Sequence, residues 1–345
     1  MSQEDFVTRK TLLAGFAVSS LLSCAAILPT LSPAVAADAA RPELSPMERV
    51  TAARAKKAAD GSSDRVYGGK EAEKGAYPFQ VALLSSERLD DSPESQPNAQ
   101  FCGGSLIAPQ WVLTAAHCLS DNGAPIEAES VTILTEATNL VEGKRYKVAE
   151  VIVHEGFSER TLDNDIGLIK LAEPATAPTI KIATGPTEDK GTTTVTGWGM
   201  MEDGTFPSDL MVADLDLEPN AACNAGIKQI YARDLSYALR ELSTRMRYND
   251  AAVDEATTAI VKYMNDPLSN NMICAGTTSG QRDACNGDSG GPLFVTGADG
   301  KTQIGIVSWG EGPFDANAAC GHKDAYGVYT RLGNYADWIK AKAGI

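Results

Sequence analysis

The chain has 345 residues, of which 43% are hydrophobic and 22% are charged, a composition typical of a soluble globular protein with one or two domains. The formal net charge is −15. Residues 1–65 contribute +1, from eight basic and seven acidic side chains, so residues 66–345 carry −16. An acidic surface repels phosphate and argues against a nucleic-acid partner, although most of this charge fits a solvated face that keeps the protein soluble.

The N-terminus has the pattern of an export signal. Arg9 and Lys10 precede an apolar stretch over residues 12–31, and Ala34-Val35-Ala36 has the small-x-small form of a cleavage site. This predicts a signal peptide over residues 1–36. The rival interpretations are a retained membrane anchor, because the stretch is near the lower length for spanning, and a lipoprotein box ending at Cys24. We expect a cleaved signal, a secreted protein (extracellular or periplasmic) and no stable membrane anchor.

Residues 37–65 are rich in Ala, Lys, Arg, Asp and Ser without a sustained period, which predicts a flexible pro-segment or linker. From Val66 onward, short apolar or alternating runs recur between Gly, Pro, Asn and Asp, and this spacing predicts an all-β sandwich or barrel. The runs are 79–84, 111–113, 131–134, 148–153, 166–171, 192–198, 304–309 and 327–329.

Two regions depart from the β pattern. Residues 335–342 predict a short C-terminal helix. Apolar residues at steps of three and four over residues 225–266 predict a helical hairpin inserted into the β-protein. Asn249 or Asp250, which lie between its two halves, is expected to cap the second helix.

The cysteines beyond the export signal are even in number, which in an exported chain implies disulfides. They are Cys102, Cys118, Cys223, Cys274, Cys285 and Cys320. A zinc site needs close Cys-x-x-Cys or His pairs, which this sequence lacks. Cysteine spacing alone does not choose the pairing.

Three residues stand in motifs that can carry chemistry. His117 in "TAAHC" and Asp165 in "DNDIGLIK" would, taken singly, be a structural histidine and a strand-capping acid. Ser289 in "CNGDSGGP" is different, because the glycines around it permit a sharp turn that exposes Oγ and aims backbone N–H groups at one point. An acyl-transfer nucleophile with an oxyanion hole needs that arrangement.

Together these motifs resemble the trypsin/chymotrypsin-like serine proteases, as do "FCGGSLI", "GWG", "SWG" and the terminal "DWIK". The resemblance covers residues 66–345 apart from the helical insert. It implies two six-stranded antiparallel β-barrels packed face to face, with the active-site cleft between them. The order His, Asp, Ser also matches that family.

The resemblance assigns roles to site residues. Ser289 would be the nucleophile, His117 the general base and acid, and Asp165 the residue that orients the imidazole. The N–H groups of Gly287 and Ser289 would form the oxyanion hole. Ser308 would support Asp165.

The resemblance also implies a primary specificity pocket. Asp283 would lie at its base and pair with a substrate Arg or Lys, while Gly310 and Gly327 would leave room for a long side chain. The bland alternative is that Asp283 is a surface loop acid. The implied disulfides are Cys102–Cys118, Cys223–Cys274 and Cys285–Cys320.

By the same resemblance, "RVYGG" is a zymogen activation site. Cleavage between Arg65 and Val66 would free an ammonium group that pairs with Asp288, which makes residues 37–65 a propeptide. Most relatives read Ile-Val-Gly-Gly, so Tyr67 is bulkier than the usual residue.

We expect no cofactor. We also expect no metal: by the same resemblance, trypsins often bind Ca²⁺ in a loop matching residues 136–145, where Glu142 survives but Arg145 replaces an expected acid. Neither His154 nor His322 is expected to be catalytic. The predicted protein is a monomeric secreted endopeptidase that acts on polypeptides after Arg or Lys. The helical insert would recognise substrate, hold an inhibitor or exosite partner, or simply be a packed decoration. The alternative function is an inactive homologue that binds partners.

Overall fold

The computed structural model describes residues 45–58, 69–187, 189–201, 204–280, 282–311, 320–321 and 326–345. In chain order its strands are β1 Lys70–Glu71, β2 Gln80–Ser85, β3 Gln100–Ala108, β4 Trp111–Thr114, β5 Ser120–Asp121, β6 Ala124–Pro125, β7 Val131–Thr135, β8 Lys144–Val153, β9 Gly167–Leu171, β10 Lys181–Ile182, β11 Gly191–Gly197, β12 Met211–Glu218, β13 Met272–Gly276, β14 Pro292–Gly297, β15 Gly300–Trp309 and β16 Gly327–Arg331. Its helices are α1 Pro46–Ala58, α2 Gln96–Ala99, α3 Asn220–Met246, α4 Asp250–Lys262 and α5 Ala336–Ala343. Each predicted strand overlaps one of these strands.

The strands form two closed antiparallel barrels of six strands each, which confirms the predicted fold class. The first barrel has the order β2-β3-β4-β9-β8-β7. The second has the order β12-β11-β14-β15-β16-β13 and is closed by the pairing of β12 with β13. Outside the second ring, β1 pairs with β12 and β10 runs parallel to β15. Closure leaves neither ring with a free edge strand.

Buried polar side chains join the two barrels. Ser105 Oγ on β3 donates to Gln303 Oε1 on β15 at 2.6 Å, and Thr196 Oγ1 on β11 donates to Gln80 Oε1 on β2 at 2.7 Å. All four side chains are buried, so each bond satisfies groups that would otherwise be costly to desolvate. The contact between the barrels therefore fixes one relative orientation, and the candidate site lies across it.

The predicted helical hairpin is confirmed as α3 and α4, although α3 begins at Asn220 rather than near residue 225. Its base is anchored by Cys223, Ile227 and Cys274, which form a buried cluster. Asn249 caps α4, because its side chain accepts the N–H of Ala252 at 2.8 Å. The predicted C-terminal helix is confirmed as α5. No helix among the described residues has the length and apolarity that crossing a membrane requires.

The prediction of a flexible segment over residues 37–65 is wrong for α1. Ser45 Oγ accepts the N–H of Glu48, whose carboxylate accepts the Ser45 N–H at 2.9 Å, which is a capping box, and Pro46 occupies the first helical position. The helix belongs to the same compact unit as the barrels, residues 44–345. The polar composition of residues 37–65 predicts no helix, although the capping box at Ser45 is a local pattern that favours one.

The cap of α4 gives a stability prediction. Asn249→Ala removes the side-chain acceptor and should cost about 1 kcal/mol of local stability, measured by amide hydrogen exchange along α4. Asn249→Asp keeps an acceptor and adds a charge that favours the helix N-terminus, so it should retain the wild-type protection. Equal loss of protection in both variants would contradict the assigned cap.

Candidate active site

The first half of the site is the pair His117 and Asp165, both from the first barrel. His117 lies in the turn Ala116–Cys118 after β4, and Asp165 lies just before β9. Asp165 Oδ2 is 2.7 Å from His117 Nδ1, and Asp165 Oδ1 accepts the His117 backbone N–H at 2.8 Å. A carboxylate facing Nδ1 places the ring proton on that nitrogen and leaves Nε2 as the acceptor.

The second barrel holds Asp165 from the other side. Ser308 Oγ at the end of β15 donates to Asp165 Oδ2 at 2.5 Å, and Thr330 Oγ1 on β16 donates to the Asp165 carbonyl at 2.6 Å. Asp165 is fully buried, at 0% exposure. The Ser308 bond and the two contacts with His117 compensate the desolvation of the carboxylate, and the Thr330 bond fixes the backbone that carries it. The Ser308 contact matches the role implied by the sequence, whereas Thr330 carried no sequence signal.

Ser289 lies on a sharp turn between β13 and β14. Gly287 has φ of 101° and Gly290 has φ of 83°, values that disfavour any residue with a Cβ. A Cβ at Gly290 would also collide with Thr114 Oγ1 and the Gly103 carbonyl. The Ser289 carbonyl accepts the Gly103 N–H at 2.7 Å, which ties the turn to β3.

The turn leaves two backbone donors available. Within the described part of the chain, the N–H groups of Gly287 and Ser289 donate no hydrogen bond. Ser289 and His117 line one cavity, and no hydrogen bond of the described residues joins their side chains. Such contacts are commonly longer in the absence of substrate. Ser289 and His117 thus bring a hydroxyl and a ring nitrogen to one cavity.

Asp283 lines the same cavity and is buried, at 7% exposure. Its carboxylate accepts the N–H of Ala284 at 2.8 Å and of Gly321 at 3.3 Å, and burial raises its pKa to about 7. A Cβ at Gly327 would collide with this carboxylate, whereas one at Gly310 would make only an ordinary contact with Gly327 Cα at 3.9 Å. The first glycine is thus required by close approach, and the second keeps the wall of the cavity open.

Asp288 packs directly against the backbone of Gly197 and Gly199, where a side chain at either position would collide with its carboxylate. That carboxylate accepts the N–H of Gly199 at 2.7 Å and of Cys285 at 2.9 Å, and burial raises its pKa to about 6. The sequence predictions for Arg65, Val66, Tyr67 and His322 lie outside the described residues.

Sequence reasoning missed Gln100 and Tyr329. Gln100 is buried, and its Nε2 donates to the Gly287 carbonyl at 2.8 Å and to the Cys102 carbonyl at 3.3 Å. Tyr329 lines the cavity, and its buried hydroxyl has no hydrogen-bond partner within the described part of the chain. No local motif marks either residue, because each acts on a segment distant in sequence.

The structure contains the three disulfides that the resemblance implied, Cys102–Cys118, Cys223–Cys274 and Cys285–Cys320. The first closes the loop that carries His117, and the third joins the Ser289 loop to the cavity wall. Cys102, His117 and Cys118 lie close enough together to suggest a metal site. The disulfide between the two cysteines makes their thiolates unavailable as ligands.

The remaining predicted residues lie away from the cavity. The Arg145 guanidinium donates to Gln96 Oε1 at 2.7 Å and to the Ser92 carbonyl at 2.7 Å. Glu142 pairs with Lys74 at 2.9 Å. His154 follows the end of β8 and packs against Tyr335 and Trp338, and desolvation lowers the pKa of its ring.

Comparisons with known proteins agree with this geometry. The family model described as Trypsin matches residues 66–339. Kallikrein-7 from Homo sapiens is 32% identical over 286 residues, covering 81% of this chain and 88% of that protein. Transmembrane protease serine 11G from Mus musculus is 30% identical, with coverage of 81% and 56%. Vitamin K-dependent protein C from Rattus norvegicus is 31% identical, with coverage of 81% and 52%. The chain spans about half the length of the last two relatives.

The buried acids predict a pH dependence of stability. Burial raises the pKa of Asp283 to about 7 and of Asp288 to about 6 from 3.8, so the folded chain binds these protons more tightly than the unfolded chain. Their contribution is fully present below about pH 4 and is lost as the pH rises through about 6 and 7. Asp283→Asn removes one of these titrating groups. Between about pH 4 and 7, the free energy of unfolding of this variant should therefore fall less than that of wild type.

Urea unfolding of the uncleaved chain across this pH range measures the effect. Glu129→Gln, which changes an exposed carboxyl group, should keep the wild-type pH profile. Identical profiles for Asp283→Asn and wild type would contradict the assignment.

Proposed function

Because the chain belongs to the trypsin family of serine proteases, we propose that it is an endopeptidase that hydrolyses peptide bonds after Arg or Lys. The observation that carries the proposal is a single cavity lined by Ser289, His117 and Asp283. His117 is oriented there by a fully buried Asp165. Each chemical role thus has a residue of the required type in reach of one bound peptide.

The proposed reaction begins when Ser289 Oγ attacks the carbonyl carbon of the scissile bond and His117 Nε2 accepts the hydroxyl proton. The N–H groups of Gly287 and Ser289 stabilise the oxyanion, and His117 then returns the proton to the leaving amine. Water, deprotonated by His117, releases the acyl group from Ser289 and restores the enzyme. Asp165 remains ionised and stabilises the imidazolium that forms in both halves.

The proposed specificity follows from Asp283. A buried carboxylate without a cation is unfavourable, as its raised pKa of about 7 indicates. A substrate Arg or Lys side chain would supply the missing positive charge and hold Asp283 ionised. Gly310 and Gly327 leave the length of the cavity open for that side chain.

The same electrostatic reasoning supports activation by cleavage. The raised pKa of Asp288, about 6, describes a buried acid whose described partners are backbone N–H groups. An ammonium group freed at Val66 would hold Asp288 ionised and order the adjacent Gly287 and Ser289. We therefore propose a secreted zymogen with a signal over residues 1–36, a propeptide over 37–65 and cleavage after Arg65.

The helical hairpin borders the cavity. Tyr231 on α3 donates its hydroxyl to Glu311 at 2.8 Å, and Tyr231 and Trp309 pack against the same buried cluster. Glu311 and Trp309 both line the cavity. This contact supports a role for the hairpin in recognising a substrate or an exosite partner. The alternative of a packed decoration predicts that shortening the hairpin leaves substrate preference unchanged.

The nucleophile is tested by Ser289→Ala. After removal of residues 1–65, hydrolysis of an Arg-amide substrate should fall by at least roughly 10⁴-fold, because the acyl-transfer step loses its attacking oxygen. Ser279→Ala, at an exposed position, is the matched control and should keep full activity. An activated wild type that leaves the amide intact would favour the alternative of an inactive binding homologue.

The specificity pocket is tested by Asp283→Asn. Loss of the buried ion pair should cost about 3 kcal/mol, which lowers kcat/KM for Arg and Lys amides roughly hundredfold. The deacylation rate of a small active ester, which does not use the pocket, should change little. Undiminished cleavage after Arg and Lys would show that Asp283 does not bind the substrate cation.

A further inference from the structure

Helix α1 is seated on the face of the molecule that carries the candidate active site. It packs against β3 and the turn Ala116–Cys118. Met47, Val50 and Arg54 follow the i, i+3, i+7 spacing of one helix face. Val50 is 4% exposed and belongs to the core cluster that includes Cys118, and Met47 packs against that cluster. The residues that begin α1 thus contact the loop that positions His117.

Arg54 anchors the middle of the helix. Its Nη2 donates to Gln100 Oε1 at 2.6 Å and to the Gln100 carbonyl at 3.3 Å, and its guanidinium lies 4.2 Å from the ring centre of Phe206. Burial, with a smaller contribution from Arg88, lowers its pKa to about 10. Gln100 in turn donates to the Gly287 carbonyl, so the helix is linked to the peptide group beside Ser289.

Arg49 extends the contact to the cavity itself. Its side chain lines the cavity together with His117, Asp283 and Ser289. A peptide substrate placed on Ser289, with its own Arg or Lys directed to Asp283, would meet this side chain at the entrance. Arg49 of α1 therefore lines the space that such a substrate would enter, so bound α1 and bound substrate would compete for it.

We propose that residues 45–58 are a built-in inhibitor, which binds a groove formed by Cys118, Gln100 and Phe206 and stays bound after cleavage at residues 65–66. This inference rests on the proposed protease function. Residues 37–65 contain no cysteine, so after the cut the fragment is held without a covalent link. Before the cut the helix is present at a high local concentration, and after it the fragment is released by dilution. Activation thus has two steps, cleavage and release.

The binding step is tested in the full chain with Ser289→Ala, which prevents self-digestion. Residues 62–65 are replaced by the recognition sequence of a processing protease that leaves single Arg and Lys bonds intact. After cleavage, gel filtration and mass spectrometry measure how much of the fragment elutes with the barrels. Wild-type α1 should co-elute at micromolar concentration.

A matched pair of variants identifies the face that binds. Val50→Glu buries a charge against the groove and should weaken retention roughly hundredfold. Ala52→Glu places the same charge on the exposed face and should retain the fragment as wild type does. Phe206→Ala, outside α1, should also weaken retention, and it serves as the second variant should Val50→Glu fail to fold. Equal retention in all four chains, or immediate loss of the wild-type fragment, would overturn the proposal.

The activity step uses the same chains with Ser289 intact. The specific activity of cleaved wild type toward an Arg amide should rise on dilution, through a falling apparent KM with unchanged kcat. Cleaved Val50→Glu should have the higher specific activity at every concentration. A wild-type specific activity that is independent of concentration and equal to that of Val50→Glu would contradict inhibition. If no chain hydrolyses the amide, the proposed function fails, while fragment retention still decides the binding.

Discussion

The carboxylate of Asp165 is the group on which the arrangement of the site depends. It comes from the first barrel, yet Ser308 and Thr330 of the second barrel donate to this residue. His117 receives both its orientation and its ring-proton position from the same carboxylate. Since Asp165 is fully buried, each of these bonds is needed to compensate desolvation. The residue that directs the base is therefore also one that fixes the two barrels relative to each other.

A second constraint is the gathering of negative charge beneath the cavity. Burial raises the pKa values of Asp283 and Asp288. Burial also raises the pKa of the Tyr329 hydroxyl, and these two acids raise it further. Desolvation of these two carboxyl groups lowers the stability of the fold, and in the proposed function the bound cations offset that cost. In the proposed function, one acid meets the substrate and the other meets the new N-terminus. The unfavourable charges of the uncleaved chain become the driving force for substrate recognition and for activation.

Much of the site could be predicted because its determinants are local. The glycines around Ser289 mark a turn with positive φ, and the apolar steps of residues 225–266 mark two helices that the structure contains. Strand β3 was harder to predict, since Gly103 and Gly104 lower strand propensity. A Cβ at Gly104 would lie 3.0 Å from the Leu113 carbonyl, and a Cβ at Gly103 would lie 3.3 Å from Gly291 Cα, so close packing explains both glycines.

The roles of other residues could not be predicted from the sequence, for a physical reason. Thr330 donates to the carbonyl of Asp165, and Gln100 donates to the carbonyl of Gly287. Both partners are distant in the sequence, so the residues next to Thr330 and Gln100 do not indicate them. Helix α1 was not predicted for a different reason, because its start does have a local sequence pattern. Ser45 and Glu48 form a capping box at its start and Pro46 follows Ser45, a pattern that favours a helix. The polar composition of residues 37–65 predicts a flexible segment instead. A short amphipathic helix gains its stability from the surface that receives it, and that surface is distant in sequence.

In the proposed function, Asp165, held by both barrels, makes His117 a base for Ser289. Covalent modification by a fluorophosphonate tests it directly, because the phosphorus–oxygen bond to Ser289 forms as fluoride leaves and needs no specificity pocket. Labelling is followed by mass spectrometry of peptides from the chain freed of residues 1–65, in wild type and Asp165→Asn. We expect a label on Ser289 alone, formed in the Asp165→Asn variant at least roughly 10³-fold more slowly than in wild type. Labelling of another residue, or an equal rate in the two proteins, would contradict it.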